Sequence, residues 1–443
     1  MESATKALAA GNFSEAEDLF RQAAALSPSA DAYENLALLE ALAGNDAATE
    51  AACRKLLKFQ PSNYNGYLLL ALVYTNRSQF QNARSLLQSL NYDPDPLLQA
   101  VYYVALEHTG EREKAGKIHV ALTNTAVAPQ DALLAARLFR APELKDMAAF
   151  WLKSASNNAN GRILAQIGDA YARQADWEEA EKAYRQALKS LPDQVSLLLS
   201  LAAAEEKNDH HNEAIKHLEE AKNNLHSDGD RKAYALTCMQ LHLMKEAAGV
   251  LNAGLERNGP DADVYFLLGV IQFYFGHYEQ AKDCYNLALS LRPDDKRVRL
   301  ALGYLWVETQ EFDKALPELK AALGNTQLAG LAYHYLGLIE KAQGMLDAAA
   351  RDLQQAAVLR PDDAMIKSDL GGVQISLGQL QAAKANIDAA LRLDHRNAGA
   401  RFQNARLLGK LGQRELAKTE IDRSEGMRLL EKERSAMQLA EVK

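Results

Sequence analysis

The residues best suited to chemistry crowd into one short stretch that holds His210, His211, Glu213 and His217. Imidazole nitrogens and carboxylate oxygens are common zinc ligands, and Glu213 and His217 would share one face of a helix. Their spacing matches no established zinc pattern, and His210 precedes the predicted helix. We therefore expect a polar turn followed by an exposed helix, and no metal site.

The other candidates for chemistry are three cysteines, Cys53, Cys238 and Cys284, none of which belongs to a CxxC pair. Cys53 and Cys284 fall midway along predicted helices, which is typical of small buried side chains rather than of nucleophiles. The sequence contains no GxxxxGK[ST], GxGxxG, GxSxG or HExxH motif, so no phosphate loop, nucleophile elbow or zinc-protease helix is recognisable. We predict a protein that is not an enzyme and that holds no cofactor.

The amino-acid composition excludes further classes of protein. Of 443 residues, 48% are apolar, and 50 basic residues stand against 58 acidic ones, for a formal net charge of −8. The apolar share excludes a disordered chain, and no apolar run approaches the roughly 18 residues of a membrane span. An acidic chain without a dense basic segment is not expected to bind nucleic acid. Because no signal-peptide pattern opens the sequence, we expect a soluble protein, cytoplasmic by default, or periplasmic or secreted where a signal peptide has been removed.

An internal repeat in the sequence predicts the structural units on which these side chains lie. An alanine recurs at steps of 32 to 34 residues, at Ala83, Ala115, Ala148, Ala180, Ala214, Ala248, Ala281, Ala315, Ala349, Ala383 and Ala417. Prolines follow the same period, at Pro28, Pro61, Pro94, Pro192, Pro260, Pro293 and Pro361. Because two residue types share one spacing, the chain is predicted to consist of units of about 34 residues.

Residues 161–194, 262–295 and 330–363 show the unit most clearly. In the first of them the pattern consists of Leu164, Ile167, Gly168, Tyr171, Trp177, Ala180, Tyr184, Ala187 and Pro192. This pattern resembles the tetratricopeptide repeat family, whose unit is a 34-residue pair of antiparallel helices. The resemblance covers nearly the whole chain. It implies an all-α solenoid, a right-handed superhelix of about 13 helix-turn-helix units with a C-terminal capping helix.

The residues of the unit also explain a helix pair physically. Apolar side chains recur every three to four residues, as one buried helix face requires. Small residues at the eighth and twentieth positions, such as Gly168 and Ala180, let the two helices approach closely. A glycine near the fifteenth position, such as Gly276, ends the first helix, and the late proline ends the second. One pair cannot hide its apolar face, so neighbouring pairs must stack.

Irregular stretches indicate where this stack is divided. We predict an N-terminal array of about four units at 1–128, the first of them truncated, and an irregular helix pair or seam at 129–160, where Pro142 opens the second helix. A C-terminal array of about eight units follows at 161–424, with an irregular unit near 227–259 whose turn lacks glycine. Residues 425–443 are predicted to form a charged capping helix over the last pair.

A partner site is expected on the concave surface that the resemblance implies, where the second, fifth, ninth and twelfth residues of each unit face the groove. Between about 263 and 307 these positions are apolar and aromatic, as interaction patches often are. The predicted partner-binding residues are Phe266, Val270, Phe273, Leu300, Tyr304, Val307, His334, Leu338, Phe402 and Arg406. The alternative is that these side chains pack against the next unit. Further upstream the same positions are more polar, at Arg162, Ala165, Asp169, Ala172, Ser196, Leu199, Ala203 and Glu206.

The sequence therefore predicts a non-catalytic protein-protein interaction scaffold that binds a partner peptide or helix in its groove, with no nucleic acid and no membrane insertion. The oligomeric state is left open. An alternative is the scaffold or substrate-recruiting segment of a larger enzyme or of a secretion or assembly machine, whose catalytic part lies outside this chain. The Lys and Asn set with which some family members clamp the terminal carboxylate of chaperones is missing, since Leu38, Leu72 and Asp169 occupy ninth positions. Chaperone tails are therefore not expected partners.

Overall fold

The structure, a computed structural model, describes residues 2–9, 13–88, 90, 95–157 and 159–425. These residues contain 26 helices and no strand, which confirms the predicted all-α class. Consecutive helices of the described ranges pair into 13 hairpins, the number of units that the repeat predicts. The chain divides into two compact units, residues 1–224 and 225–443.

The first unit holds the hairpins formed by helices α1 to α14. Its first helices are α1 (Glu2–Ala9), α3 (Ala30–Leu42), α5 (Tyr64–Asn76), α7 (Pro96–His108), α9 (Pro129–Leu138), α11 (Gly161–Arg173) and α13 (Val195–Lys207). Its second helices are α2 (Phe13–Leu26), α4 (Asp46–Phe59), α6 (Phe80–Gln88), α8 (Arg112–Asn124), α10 (Pro142–Ser156), α12 (Trp177–Leu188) and α14 (His211–Asn223).

The second unit holds the hairpins formed by helices α15 to α26. Its first helices are α15 (Asp228–Gln240), α17 (Ala262–Tyr274), α19 (Lys296–Glu308), α21 (Thr326–Ala342), α23 (Ala364–Ser376) and α25 (Ala398–Lys410). Its second helices are α16 (Met244–Asn258), α18 (Tyr278–Leu291), α20 (Phe312–Ala322), α22 (Leu346–Leu359), α24 (Leu380–Leu393) and α26 (Arg414–Glu425).

Helix starts and ends follow local chemistry. At the start of α5 the Asn63 side chain accepts a hydrogen bond from the Gly66 amide at 2.8 Å, which satisfies one of the free N–H groups of a helix start. Helix α18 ends at Leu291, two residues before Pro293. A proline cannot donate a backbone hydrogen bond, so it stops second helices where the sequence predicts.

A residue with left-handed backbone occupies the turn of every described hairpin from α3–α4 onward except α9–α10. Glycines with positive φ occupy this turn in six hairpins, at Gly44, Gly110, Gly276, Gly344, Gly378 and Gly412, as the fifteenth-position rule predicts. Ser78, Ala175, Asp209, His242 and Gln310 adopt the same conformation, with φ between 57° and 61°, in hairpins without a turn glycine. The turn geometry is therefore imposed by the packed helices even where the local residue disfavours it.

The two helices of a hairpin approach closely at the eighth-position glycine, as the sequence predicts, and the structure adds the side chain that faces it. A Cβ on Gly269 would lie 2.4 Å from the Tyr285 ring, and one on Gly303 would lie 2.7 Å from the Leu319 side chain. These partners follow their glycine by 16 residues, and the alanine that follows by 12 also lies at the contact, since a Cβ on Gly337 would be 3.3 Å from the Ala349 carbonyl oxygen. Residues four apart on the second helix both face the first helix, and the larger of the two fills the space above the glycine.

Helices α9 and α10 form the irregular pair predicted near 129–160. Helix α9 has only 10 residues, and α10 begins at Pro142 after a three-residue turn. Arg140 in that turn reaches back to the turn between α3 and α4, where its Nη2 lies 2.7 Å from Asp46 Oδ1 and its Nη1 donates to the Gly44 carbonyl at 3.2 Å. The first helices α3 and α9 are also in contact. This part of the first unit therefore curls until its fifth hairpin meets its second.

The remaining predictions of organisation concern boundaries and ends. Helix α1 has 8 described residues, and the predicted truncation of the first unit stays a prediction. The irregular unit near 227–259 forms the ordinary pair α15 and α16, with His242 in place of the turn glycine. The capping helix predicted for 425–443 lies outside the described residues beyond Glu425, and the predicted array boundaries stay predictions.

Candidate functional site

Six of the ten predicted partner-binding residues are buried between helices of the second unit. They are Phe266, Val270, Phe273, Leu300, Tyr304 and His334. The ring centroids of Phe273 and Tyr304 lie 5.2 Å apart, and Tyr304 stacks on Tyr335 at 4.3 Å, so an aromatic row joins α17, α19 and α21. The aromatic stretch at 263–307 therefore fills the space between successive first helices instead of lining an open groove. This corrects the expected exposure, and partner binding by these six side chains stays a prediction that their burial does not favour.

The other four predicted residues retain accessible surface. Val307 and Leu338 are half-buried, and Phe402 is 46% exposed on α25. Arg406, one helical turn after Phe402, donates to Gln403 at 2.7 Å and to the Ser376 hydroxyl of α23 at 3.2 Å. The structure therefore brings Phe402 and Arg406 together on one accessible face of the last first helix.

A polar cluster joins α21 and α23 around Asp369. His334 Nε2 lies 2.9 Å from Asp369 Oδ2, and the Lys341 ammonium donates to Asp369 Oδ1 at 3.1 Å. Burial raises the pKa of Asp369, but the His334 hydrogen bond and the Lys341 charge outweigh it and hold the pKa at about 2. His334 Nδ1 is buried without a partner among the described residues, so the ring is held at this place through its Nε2 contact. The cluster positions two first helices and holds no nucleophile.

This cluster predicts a loss of stability in acid. The ordinary pKa of 3.8 applies to Asp369 in the unfolded chain, and the folded value is about 2. Unfolding therefore binds a proton between these values, and the stabilisation present above pH 4 falls as the pH drops toward 2. We expect Asp369→Asn to be less stable than the parent protein at pH 5 and to lose less stability between pH 4 and pH 2. Urea unfolding of both proteins at pH 5, 4, 3 and 2 measures this, and parallel losses would contradict it.

The histidine-rich stretch pairs with separate acids instead of forming one site. His210 Nδ1 lies 3.0 Å from Glu181, His211 Nδ1 lies 2.8 Å from Glu206, and His217 Nδ1 lies 2.8 Å from Glu205. The described side chains include no group of three His, Cys, Asp or Glu residues that could hold a metal ion. His210 and His211 are exposed, as expected, whereas His217 is nearly buried against Glu205. The three histidines therefore connect α14 and the turn before it to α12 and α13.

The cysteines are placed as packing residues. Cys53 and Cys238 are buried, and Cys284 is half-buried. Burial, followed by the Glu50 charge, raises the pKa of Cys53 to about 12, so its sulfur stays a neutral thiol near pH 7. The surroundings of Cys53 therefore oppose a role as a nucleophile.

The accessible first-helix surface of the first unit lies on α11 and its neighbours. On α11, Arg162, Asp169 and Arg173 are exposed, and Ala165 and Ala172 between them are half-buried. These residues repeat every three to four positions, so they share one face. On α13 the matching face presents Ser196, Ala203, Glu206 and Lys207, and α9 adds Gln130 and Arg137. We call this surface, with its alanine floor and charged rim, the α11 trough.

The trough contains residues that the sequence reasoning named only in part. Arg162, Ala165, Asp169, Ala172, Ala203 and Glu206 are at the groove positions predicted for the middle of the chain, and they are accessible. Arg137, Arg173 and Lys207 were missed, although each stands in the last turn of a first helix. The usable signal was residue size, because alanine at a groove position leaves open the space that phenylalanine or leucine closes elsewhere.

Stacked helical hairpins with an accessible first-helix face define a helical-repeat scaffold. Family models described as tetratricopeptide repeat match residues 1–64, 166–228 and 262–295. The chain is a tetratricopeptide repeat protein, and its 13 described hairpins have the architecture of that repeat. No helix in the described ranges combines the length and the apolar character that crossing a bilayer requires.

Relatives with these repeats are distant and longer. The human protein O-mannosyl-transferase TMTC1 is 26% identical over 257 residues, which are 57% of this chain and 24% of that protein. Anaphase-promoting complex subunit 3 of Schizosaccharomyces pombe is 19% identical over 260 residues, 59% of this chain and 34% of that protein. The chain thus spans about a quarter to a third of the curated relatives it matches. Among solved structures, yeast Tom70 is similar with a TM-score of 0.44 at 16% identity, with 99% of this chain and 94% of that one covered.

Proposed function

We propose that this protein is a non-catalytic scaffold that holds a partner peptide or helix against the first helices of its repeats. The observation that carries the proposal is the accessible face of α11, where small residues at groove positions leave room for another chain. Phe402 and Arg406 on α25 offer a second accessible face in the other unit, with the aromatic and arginine chemistry that binding hot spots favour.

Partner contact through first helices can be tested by site-specific photocrosslinking of the full chain in its native cell. The photoreactive residue p-benzoylphenylalanine is placed at Ser196 and at Phe402, which are exposed on first helices, or at Lys216 and Arg351, which are exposed on second helices. We expect crosslinked partners from the first-helix positions and at most weak ones from the second-helix positions. The reverse pattern would contradict the proposal, because it would place the partner on the outer layer of the stack.

A second candidate is a recruiting segment of a larger assembly. It is favoured by the short share of the curated relatives that the chain spans, 24% and 34% of two of them. In that case the repeats still bind protein, and the activity belongs to other domains or subunits. An immunoblot of the native source with an antibody against the repeats separates the two candidates, since a product of 48.7 kDa with no stable complex favours the free scaffold.

A further inference from the structure

The α11 trough carries an imbalance between its acids and its cations. Asp169 accepts a hydrogen bond from the Tyr184 hydroxyl at 2.8 Å, and Glu206 pairs with His211 at 2.8 Å. Arg137, Arg162, Arg173 and Lys207 are exposed, and none of them forms a hydrogen bond or ion pair within the part of the chain that the structure describes. Asp169 also acts on Arg173 through its charge without pairing with it, so the trough has four cations against two carboxylates and keeps an excess of positive charge.

Three of these cations stand in a row across neighbouring helices. Arg137, Arg173 and Lys207 lie in the last turns of α9, α11 and α13, and α11 contacts both of the other helices. A cation in a last helical turn interacts favourably with the free carbonyl groups there, which explains why these side chains need no carboxylate partner for folding. It does not explain why like charges are brought together. Partial burial, followed by the charge of Arg137, lowers the pKa of Arg173 despite the opposing charge of Asp169, so a further anion at this place would be attracted to both guanidinium groups.

We infer that the α11 trough binds an acidic segment of a partner protein, whose carboxylates pair with Arg137, Arg173 and Lys207 while small side chains rest on the alanine floor. This inference rests on the proposed function, because it names the chemistry of the partner that the first helices hold. Guanidinium groups pair with carboxylates through two parallel hydrogen bonds, which gives the contact direction as well as strength.

The spacing of the row also specifies the acidic segment. Packed helices lie about 8–10 Å apart, and we take that interval for the row because each cation stands in the last turn of its helix. A polyproline II segment advances about 3.1 Å per residue and turns once in three residues, so every third side chain faces the same way at about 9 Å intervals. The partner segment therefore carries Asp or Glu at every third position, with small residues between them.

The test measures binding of the full chain to three fluorescent nonapeptides by anisotropy. One peptide has glutamate at every third position among alanine and proline, the second has the same composition with its glutamates adjacent, and the third has glutamine in their place. We expect the spaced peptide to bind at least about tenfold more tightly than the other two, a difference of about 1.4 kcal/mol. Binding should weaken when sodium chloride is raised, since salt screens exposed charges.

A matched pair of variants assigns the binding to the trough. Arg137→Gln with Arg173→Gln is expected to weaken the spaced peptide about tenfold. Arg112→Gln with Lys189→Gln removes the same charge from exposed second-helix and turn positions and is expected to leave binding within about twofold. Circular dichroism checks that both variants are folded. Equal losses in the two variants would overturn the inference, because the binding would then reflect net charge alone.

The outcomes separate this inference from the proposed function. If no acidic peptide binds while Ser196 still crosslinks a partner, the acidic chemistry is wrong and the scaffold function stands. If neither occurs, both fail. A single-stranded oligonucleotide of equal charge that competes as well as the spaced peptide would also overturn the inference, because the trough would then be an unspecific polyanion surface.

Discussion

Replacing Gly269 with alanine is expected to destabilise the second unit, although alanine is the better helix former. The new Cβ would lie 2.4 Å from Tyr285 Cε1 and 2.6 Å from Cδ1, and Tyr285 is fully buried and has no room to withdraw. Overpacking of this kind costs about 1–3 kcal/mol, against a gain of at most about 1 kcal/mol from helix propensity. Urea and thermal unfolding followed by circular dichroism should therefore show a net loss. Hydrogen exchange should locate it in α17 and α18.

Gly249 provides the matched control for this substitution. It is exposed in the middle of α16, and a Cβ there would meet no atom within 4 Å. Gly249→Ala is expected to stabilise the protein by about 0.5–1 kcal/mol, so the same chemical change has opposite signs at the two positions. Similar stabilisation by both substitutions would show that the two helices separate freely at Gly269, and the close approach would lose its structural role.

The sequence was sufficient for the architecture because the repeat constrains every unit in the same way. Turn glycines such as Gly276, and stops such as Pro293, act on the backbone within a few residues, so their effects can be read without tertiary information. The side-chain contacts between the two helices of a hairpin were harder to predict. The nearest atoms to a Cβ on Gly269 belong to Tyr285, because side-chain volume, and not only position, decides which residue fills a gap.

The candidate site was less predictable because exposure depends on neighbours. Phe273 and Val270 stand at groove positions, yet the large side chains of adjacent first helices close over them. Asp169 and Ala172 stand at the matching positions of their unit and are accessible, because the side chains around them are small or charged. Burial between repeats is a property of two units at once, whereas the groove rule treats each unit alone.

Contacts between the two helices of a hairpin recur at a fixed sequence spacing, which an alignment of the repeat units could have revealed. Residues twelve apart meet in several hairpins, with Lys114 donating to the Tyr102 hydroxyl at 2.7 Å and the Asn386 amide donating to Gln374 at 2.9 Å. Glu205 and His217 occupy the same register, at 2.8 Å. Aligning the units by period would have paired these residues in advance, and it would have turned the histidine cluster from a metal candidate into a structural contact.

The contact between Glu205 and His217 is expected to give the largest effect of a single substitution. Glu205 is completely buried, His217 Nδ1 lies 2.8 Å from its Oε2, and Arg185 Nη2 lies 2.7 Å from its Oε1. Removal of one partner leaves a buried carboxylate without its counterpart, and breaking such a pair costs about 3–5 kcal/mol. We expect His217→Leu to cost about 3 kcal/mol, the lower end of that range, because Arg185 still neutralises part of the charge.

The double variant distinguishes a buried charge penalty from simple loss of packing. Glu205→Leu combined with His217→Leu replaces both polar groups with apolar ones of similar size, and such replacement of a buried pair is often neutral or better. The double variant should therefore be more stable than His217→Leu alone when both are compared by urea unfolding at pH 7. An additive loss would mean that the two side chains act independently, and the buried pair would not be what holds α13 against α14.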